Sequence, residues 1–151
     1  MPGYRGHSVG GVLAALGGLW VIVRFFPSII IDAPYILIAF FSAFVGARLP
    51  DLDIKSASRA FGTRVLLILS LCLLCAGYWH SAGLVLITTA AVYFVRHRGI
   101  THSLLFWILI LFLVYNSVGY TPLEYQRYIY CALLFVSLGI VSHILLDRIR
   151  F

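Results

Sequence analysis

Three short polar signatures interrupt an otherwise apolar chain: Arg48-Leu49-Pro50-Asp51-Leu52-Asp53, Arg96-His97-Arg98-Gly99-Ile100-Thr101-His102-Ser103 and Ser142-His143-Ile144-Leu145-Leu146-Asp147. Together with His7 they supply His7, Asp51, Asp53, His97, His102, His143 and Asp147, the imidazoles and carboxylates that ligate Zn²⁺, Mn²⁺ or Fe²⁺. Such groups are costly beside a bilayer, which makes each of them a candidate for chemistry.

The spacing of each signature says what it could deliver. His143 and Asp147 are four apart, so on a helix both side chains share one face, one turn apart. Alone, the same pair also reads as a buried polar residue and a surface partner for Arg148 or Arg150. Asp51 and Asp53 follow Pro50, which disfavours helix at Leu49 and predicts an extended turn. Residues two apart in an extended stretch point the same way, toward one cation or a bridged pair. A helix cap with Asp53 beside Ser56 is the other reading. His97 and His102 would diverge on a continuous helix, so Gly99 predicts a break that turns both inward, with Ser103 or Thr101 capping the next helix. A solvated basic loop would also fit.

The elements that must position these groups follow from composition. Of 151 residues, 62% are hydrophobic and 11% charged, with a mean hydropathy of +1.03. That excludes an ordinary soluble domain and gives an integral membrane protein, all-α, as one unit over residues 1–151. Apolar runs predict helices at Ser8–Phe26, Pro34–Ala47, Val65–Tyr78, Ala82–Val95, Ser103–Val118 and Arg127–Leu146, or six transmembrane helices. The second and fourth are short enough that five crossings, or helices that enter without spanning, are the alternative. Arg5 and the Val9–Val23 run look superficially like a secretory signal, but with no Ala-x-Ala-like site following, they read as a retained first span. Gly10, Gly11, Ala14, Ala15, Gly17 and Gly18 give that span a small-residue track for close packing.

With six crossings, Arg5, Arg48, Lys55, Arg59, Arg64, Arg96, Arg98, Arg148 and Arg150 fall on one side, and Arg24 and Arg127 on the other. The positive-inside rule makes the crowded side cytoplasmic, with both termini there. All seven ligand candidates fall on that same side; Asp32, His80 and Glu124 fall opposite. The net charge of +6 is spread over the ends of apolar runs and not gathered on a polar face, so no nucleic-acid partner is expected. Cys72 and Cys75 have redox or zinc spacing but sit in an apolar run, where packing is the simpler role.

Taken together, the N-terminal histidine, L-P-D-L-D, H-R-G-I-T-H-S and the late H-x-x-x-D resemble the YdjM-like family of inner-membrane metal-dependent hydrolases, in the same order over nearly the whole chain. A looser similarity runs to the zinc phospholipase C and P1-nuclease group. The resemblance implies metal-dependent hydrolysis, the looser one a phosphate ester. The residues fit that chemistry. A divalent ion, zinc first with Mn²⁺ or Fe²⁺ also compatible, acidifies water and polarises the ester. Seven ligands exceed one tetrahedral shell and suggest two ions, with Asp51 or Asp53 bridging or acting as general base. His7, His97, His102, His143 and Asp147 complete the shells, and His102 joins the two aspartates as a catalytic candidate. Arg48, Arg96 and Arg98 are candidates to hold an anionic head group. A site at the inner leaflet favours a membrane lipid or lipid-linked substrate. The competing classes are a metal-ion or proton-coupled carrier, which needs ligands at mid-depth and a far exit, and a structural metal staple with a closed shell.

Overall fold

The computed structural model describes residues 4–53, 57–94 and 103–149 of the chain, and all regular structure among them is helical. The order is α1 (Tyr4–Phe25), α2 (Ala33–Gly46), a 3-10 turn (Leu49–Asp53), α3 (Ala57–Cys75), α4 (Trp79–Phe94), α5 (Leu104–Val118) and α6 (Leu123–Arg148). Each expected apolar run coincides with a helix. Two boundaries differ in ways that matter: α1 begins before His7, and α6 runs past Asp147.

Three of the six expected crossings are matched on length and apolarity. Among the described residues, three stretches are long and apolar enough to span a membrane: Arg5–Phe25, Ala33–Asp51 and Leu123–Arg148. At about 1.5 Å per residue, a hydrocarbon core of about 30 Å needs about 20 residues. The α4 and α5 helices have 16 and 15 residues, and α3 carries Arg59 and Arg64 in its first half. The second apolar segment, short as an α-helix, reaches span length because the 3-10 turn continues it to Asp51.

These three stretches are also the packed centre. Ala15 and Ile22 of α1, Tyr35, Ala39 and Ala43 of α2, and Cys131 and Phe135 of α6 form one buried cluster. The α2 and α6 helices run parallel, in a register that pairs residue i with i+96, as in Tyr35 with Cys131 and Ala47 with His143. They touch backbone to backbone. A Cβ added at Gly139 would overlap the Ala43 carbonyl oxygen and lie 2.7 Å from the Ala47 nitrogen, and one at Gly46 would lie 2.9 Å from the Val136 Cα. Small residues permit this approach where lipid supplies no hydrophobic drive. The α1 helix packs antiparallel to both, with Gly10 against Leu146 and Gly18 against Phe135 and Leu138.

Parallel α2 and α6 require the chain between them to return to the starting end, which α3, α4 and α5 do by alternating direction. Phe61 near the start of α3 packs on Phe44 near the end of α2. The α3 helix ends with Gly77 at φ 82. There Gly77 N–H donates to the Leu74 carbonyl and Tyr78 N–H to that of Leu73, a left-handed cap that folds α4 back along α3. Trp107 near the start of α5 is buried with Ile140 and Ile144 of α6, and Tyr115 near its end meets Tyr130.

Outward faces are apolar. Leu13 and Trp20 of α1, Leu37 of α2, Ile68 of α3 and Leu105 of α5 are each more than 60% exposed, a pattern suited to lipid and costly in water. Cys72 and Cys75 lie on this exposed surface, not in packed positions as expected; Cys131 alone is buried.

Candidate metal centre

At one end of the central trio, α1, α6 and the 3-10 turn bring four expected ligands together. His7 comes from the second turn of α1 and is 4% exposed. His143 and Asp147 come from successive turns of α6, with His143 fully buried. Asp51 comes from the 3-10 turn, whose first bonds are Arg48 N–H to the Val45 carbonyl and Asp51 N–H to the Arg48 carbonyl. Nε2 of His7 lies 3.4 Å from Asp147 Oδ1. Nε2 of His143 lies 3.5 Å from Asp51 Oδ1 and 3.6 Å from Asp147 Oδ2.

The separations suit a cation held between an imidazole nitrogen and a carboxylate oxygen. Donor atoms about 2.0–2.2 Å from a tetrahedral ion stand about 3.3–3.6 Å from one another. The ligand atoms of His7, His143 and Asp147 all fall within 4.8 Å of one another.

The proton positions suit it too. Nδ1 of His143 is 2.7 Å from the Ala47 carbonyl oxygen. A carbonyl can only accept, so Nδ1 carries the proton and donates, and Nε2 faces the two carboxylates, presenting them a lone pair when the ring is neutral. Lone pair facing carboxylate is repulsive unless a cation lies between. A metal-ligating histidine is commonly oriented by just such a bond from its other nitrogen. The Ala47 carbonyl gets there because α2 and α6 meet at Gly139. His7 adds a buried Nδ1 with no hydrogen-bond partner among the described residues. The imidazoles form the floor of the site, while the Asp51 and Asp147 side chains keep 16% and 17% exposure.

Arg48, an expected anion-binding residue, borders the centre. Its Nη2 and Nε donate to Ser8 Oγ at 2.8 and 3.2 Å, and its guanidinium lies over the Phe44 and Phe61 rings at 4.1 and 4.9 Å. It is held as a fixed positive group next to the His7 turn.

The remaining expectations divide. The extended turn at Asp51 and Asp53 is a correction: the backbone there is a 3-10 helix. Successive residues rotate by about 120° in that geometry, so positions two apart do not share a direction. The Asp53 side chain lies outside the described residues, as do Arg96, His97, Arg98 and His102. Ser103 does occupy the N-cap position of α5, without a side-chain capping bond.

The opposite end of the trio holds a cluster that the spacing analysis left aside. Asp32 caps α2 by accepting from Tyr35 N–H at 2.9 Å, accepts from the Tyr128 hydroxyl at 2.9 Å and pairs with Arg127 of α6. The backbone bond from Tyr35, then the Tyr128 hydroxyl and the Arg127 charge, hold its carboxyl below the usual 3.8 against the opposing effect of desolvation. The signal was present in Asp32-Ala33-Pro34, a cap residue followed by a proline in the first turn.

The family model described as YdjM inner membrane protein matches residues 1–150. No curated protein and no solved structure matches the chain. The looser likeness to zinc phospholipase C and P1 nuclease finds no support in these comparisons.

Proposed function

Because the chain belongs to the YdjM inner membrane protein family and carries a buried His7–His143–Asp147 cluster able to hold a metal ion, we propose that it is a membrane-embedded, metal-dependent hydrolase. Its substrate is a phosphate ester of a lipid or lipid-linked molecule, cleaved by water. The observation that carries this reading is the His143 ring, fixed by the Ala47 carbonyl so that Nε2 aims its lone pair at Asp51 and Asp147.

A divalent ion bound there, zinc first, would acidify a water and polarise the ester oxygen. The protein's own groups do the rest. His7, His143 and Asp147 would hold metal there, and Asp51, partly exposed at the rim, would serve beside them as a further ligand or as the base that takes a proton from water. Arg48, immobilised by Ser8 and two aromatic rings, holds the anionic head group. The apolar outer faces let a lipid tail stay in the bilayer while its ester enters from the carboxylate side. His97, His102, Asp53, Arg96 and Arg98 are proposed to complete the site, as their sequence spacing suggests.

We read α3, α4 and α5 as crossing too, which gives six spans and places the metal centre and both termini on the cytoplasmic side, where the basic residues gather. Reporter fusions at each junction test that topology. A carrier fits less well: the described ligands lie at one end, and the other end carries the self-neutralised Asp32–Arg127 pair.

The direct test is metal analysis of purified protein alongside His143→Ala and Asp51→Asn, followed by release of phosphate or head group from phospholipid vesicles. Bound metal and hydrolysis in the parent, lost together in His143→Ala, support the proposal. A metal-loaded parent inactive on lipid and soluble phosphoesters alike would overturn it.

A further inference from the structure

The two imidazoles of the centre are stacked, with ring centroids 3.9 Å apart and planes inclined by 22°. An imidazole ligates along its own plane, so one ion shared by both rings must lie near the line where the planes meet. Planes with this separation and tilt converge about 10 Å away, whereas a ligated ion sits about 2.0–2.1 Å from its nitrogen. One ion bound to both Nε2 atoms would stand well out of each ring plane. Stacked rings instead direct their lone pairs side by side.

Asp147 is divided in the same way. Its Oδ1 faces Nε2 of His7 at 3.4 Å, and its Oδ2 faces Nε2 of His143 at 3.6 Å. The third carboxylate contact among the described residues, Asp51 Oδ1 at 3.5 Å, is with His143. From the stack and the divided carboxylate together, we infer that the centre holds two divalent cations bridged by Asp147, one on His7 and one on His143 and Asp51. The ring spacing matches the separation of about 3.5–4 Å typical of paired ions that act on phosphate esters. This rests on the metal-centre reading above and changes the assignment of the bridge from the turn aspartates to the helix aspartate. It also gives the two histidines separate roles: His7 carries an ion that Asp51 does not touch.

The test is metal stoichiometry and spin coupling on the detergent-purified full chain, stripped and reloaded with Mn²⁺. The parent should bind about two ions per chain and give the broadened resonance of an exchange-coupled pair. His7→Ala should bind about one and give the sharp six-line spectrum of isolated Mn²⁺. Asp147→Asn should lose the coupling. A parent with one ion and an uncoupled spectrum overturns the pair while leaving a mononuclear hydrolase standing. A parent with none overturns both. The parent's stoichiometry and spectrum decide the matter even if a variant fails to fold.

Discussion

Asp32 and Asp147 are carboxylates at opposite ends of the same helix trio, and their neighbours differ in kind. Asp32 meets a guanidinium, a phenol and a backbone N–H, donors that neutralise it from within the chain. Asp147 meets two buried imidazoles, one of them locked by Ala47 with its lone pair outward. The first arrangement is complete as it stands and fastens α2 to α6. The second has the donor atoms of a ligand shell and could hold a cation. Chemically similar residues therefore become a clamp at one end and a candidate binding site at the other, according to whether the helix partner supplies a guanidinium and a phenol or two imidazoles.

The largest expected break in this contrast comes from truncating the two carboxylates in turn. Asp147→Ala should weaken Zn²⁺ affinity by more than about 100-fold, because loss of an outer-shell partner alone costs about 10–100-fold. Asp32→Ala should leave it unchanged. Equilibrium competition with a chromophoric chelator measures both; equal losses would erase the distinction between the ends.

Next is the helix contact that sets the His143 proton. Gly139→Ala forces α2 away from α6, which should destabilise the protein by about 1–3 kcal/mol and lower metal affinity by about 10–100-fold through the displaced Ala47 carbonyl. Gly17→Ala, where nothing lies within 4 Å of the added carbon, should be neutral or stabilising by up to about 1 kcal/mol. Thermal unfolding in detergent, scored with metal titration, compares the two.

These glycines also show what a single sequence discloses. The helices were legible because apolar runs of span length have few alternatives, and the His143–Asp147 pair because helical periodicity fixes which residues share a face. His7 looked like a terminal residue because nothing in Tyr4-Arg5-Gly6 announces a helix start. The 3-10 turn was hidden because Pro50 restricts the residue before it without choosing between extended and tight helical turns. The Ala47 carbonyl could not be found by scanning side chains, since it is a backbone group whose role depends on a pairing 96 residues long.

Removing the metal should act on one end only. Chelation should accelerate amide exchange around His7 and His143 and leave the Asp32 end unaffected. At about 100 times the dissociation constant, the ion contributes about 2.7 kcal/mol of stability per site. Uniform acceleration would mean the trio opens as one body.

The smallest effect is the acid limb of the Asp32 clamp. Its depressed carboxyl pKa means the contribution is fully present above the ordinary value of 3.8 and is lost as pH falls through the lower folded-state value. Asp32→Asn should flatten that limb of a melting-temperature profile and leave the neutral range nearly unchanged, since the pair is partly exposed.

The parallel register of α2 and α6 has a consequence in time. Helices emerge from the ribosome in order, and the partner that Ala47 requires is made after the other described helices. Until α6 has been inserted, His7 and Asp51 are half of a pocket. A polypeptide cut short before α6 would thus reach the bilayer with only part of the candidate ligand set.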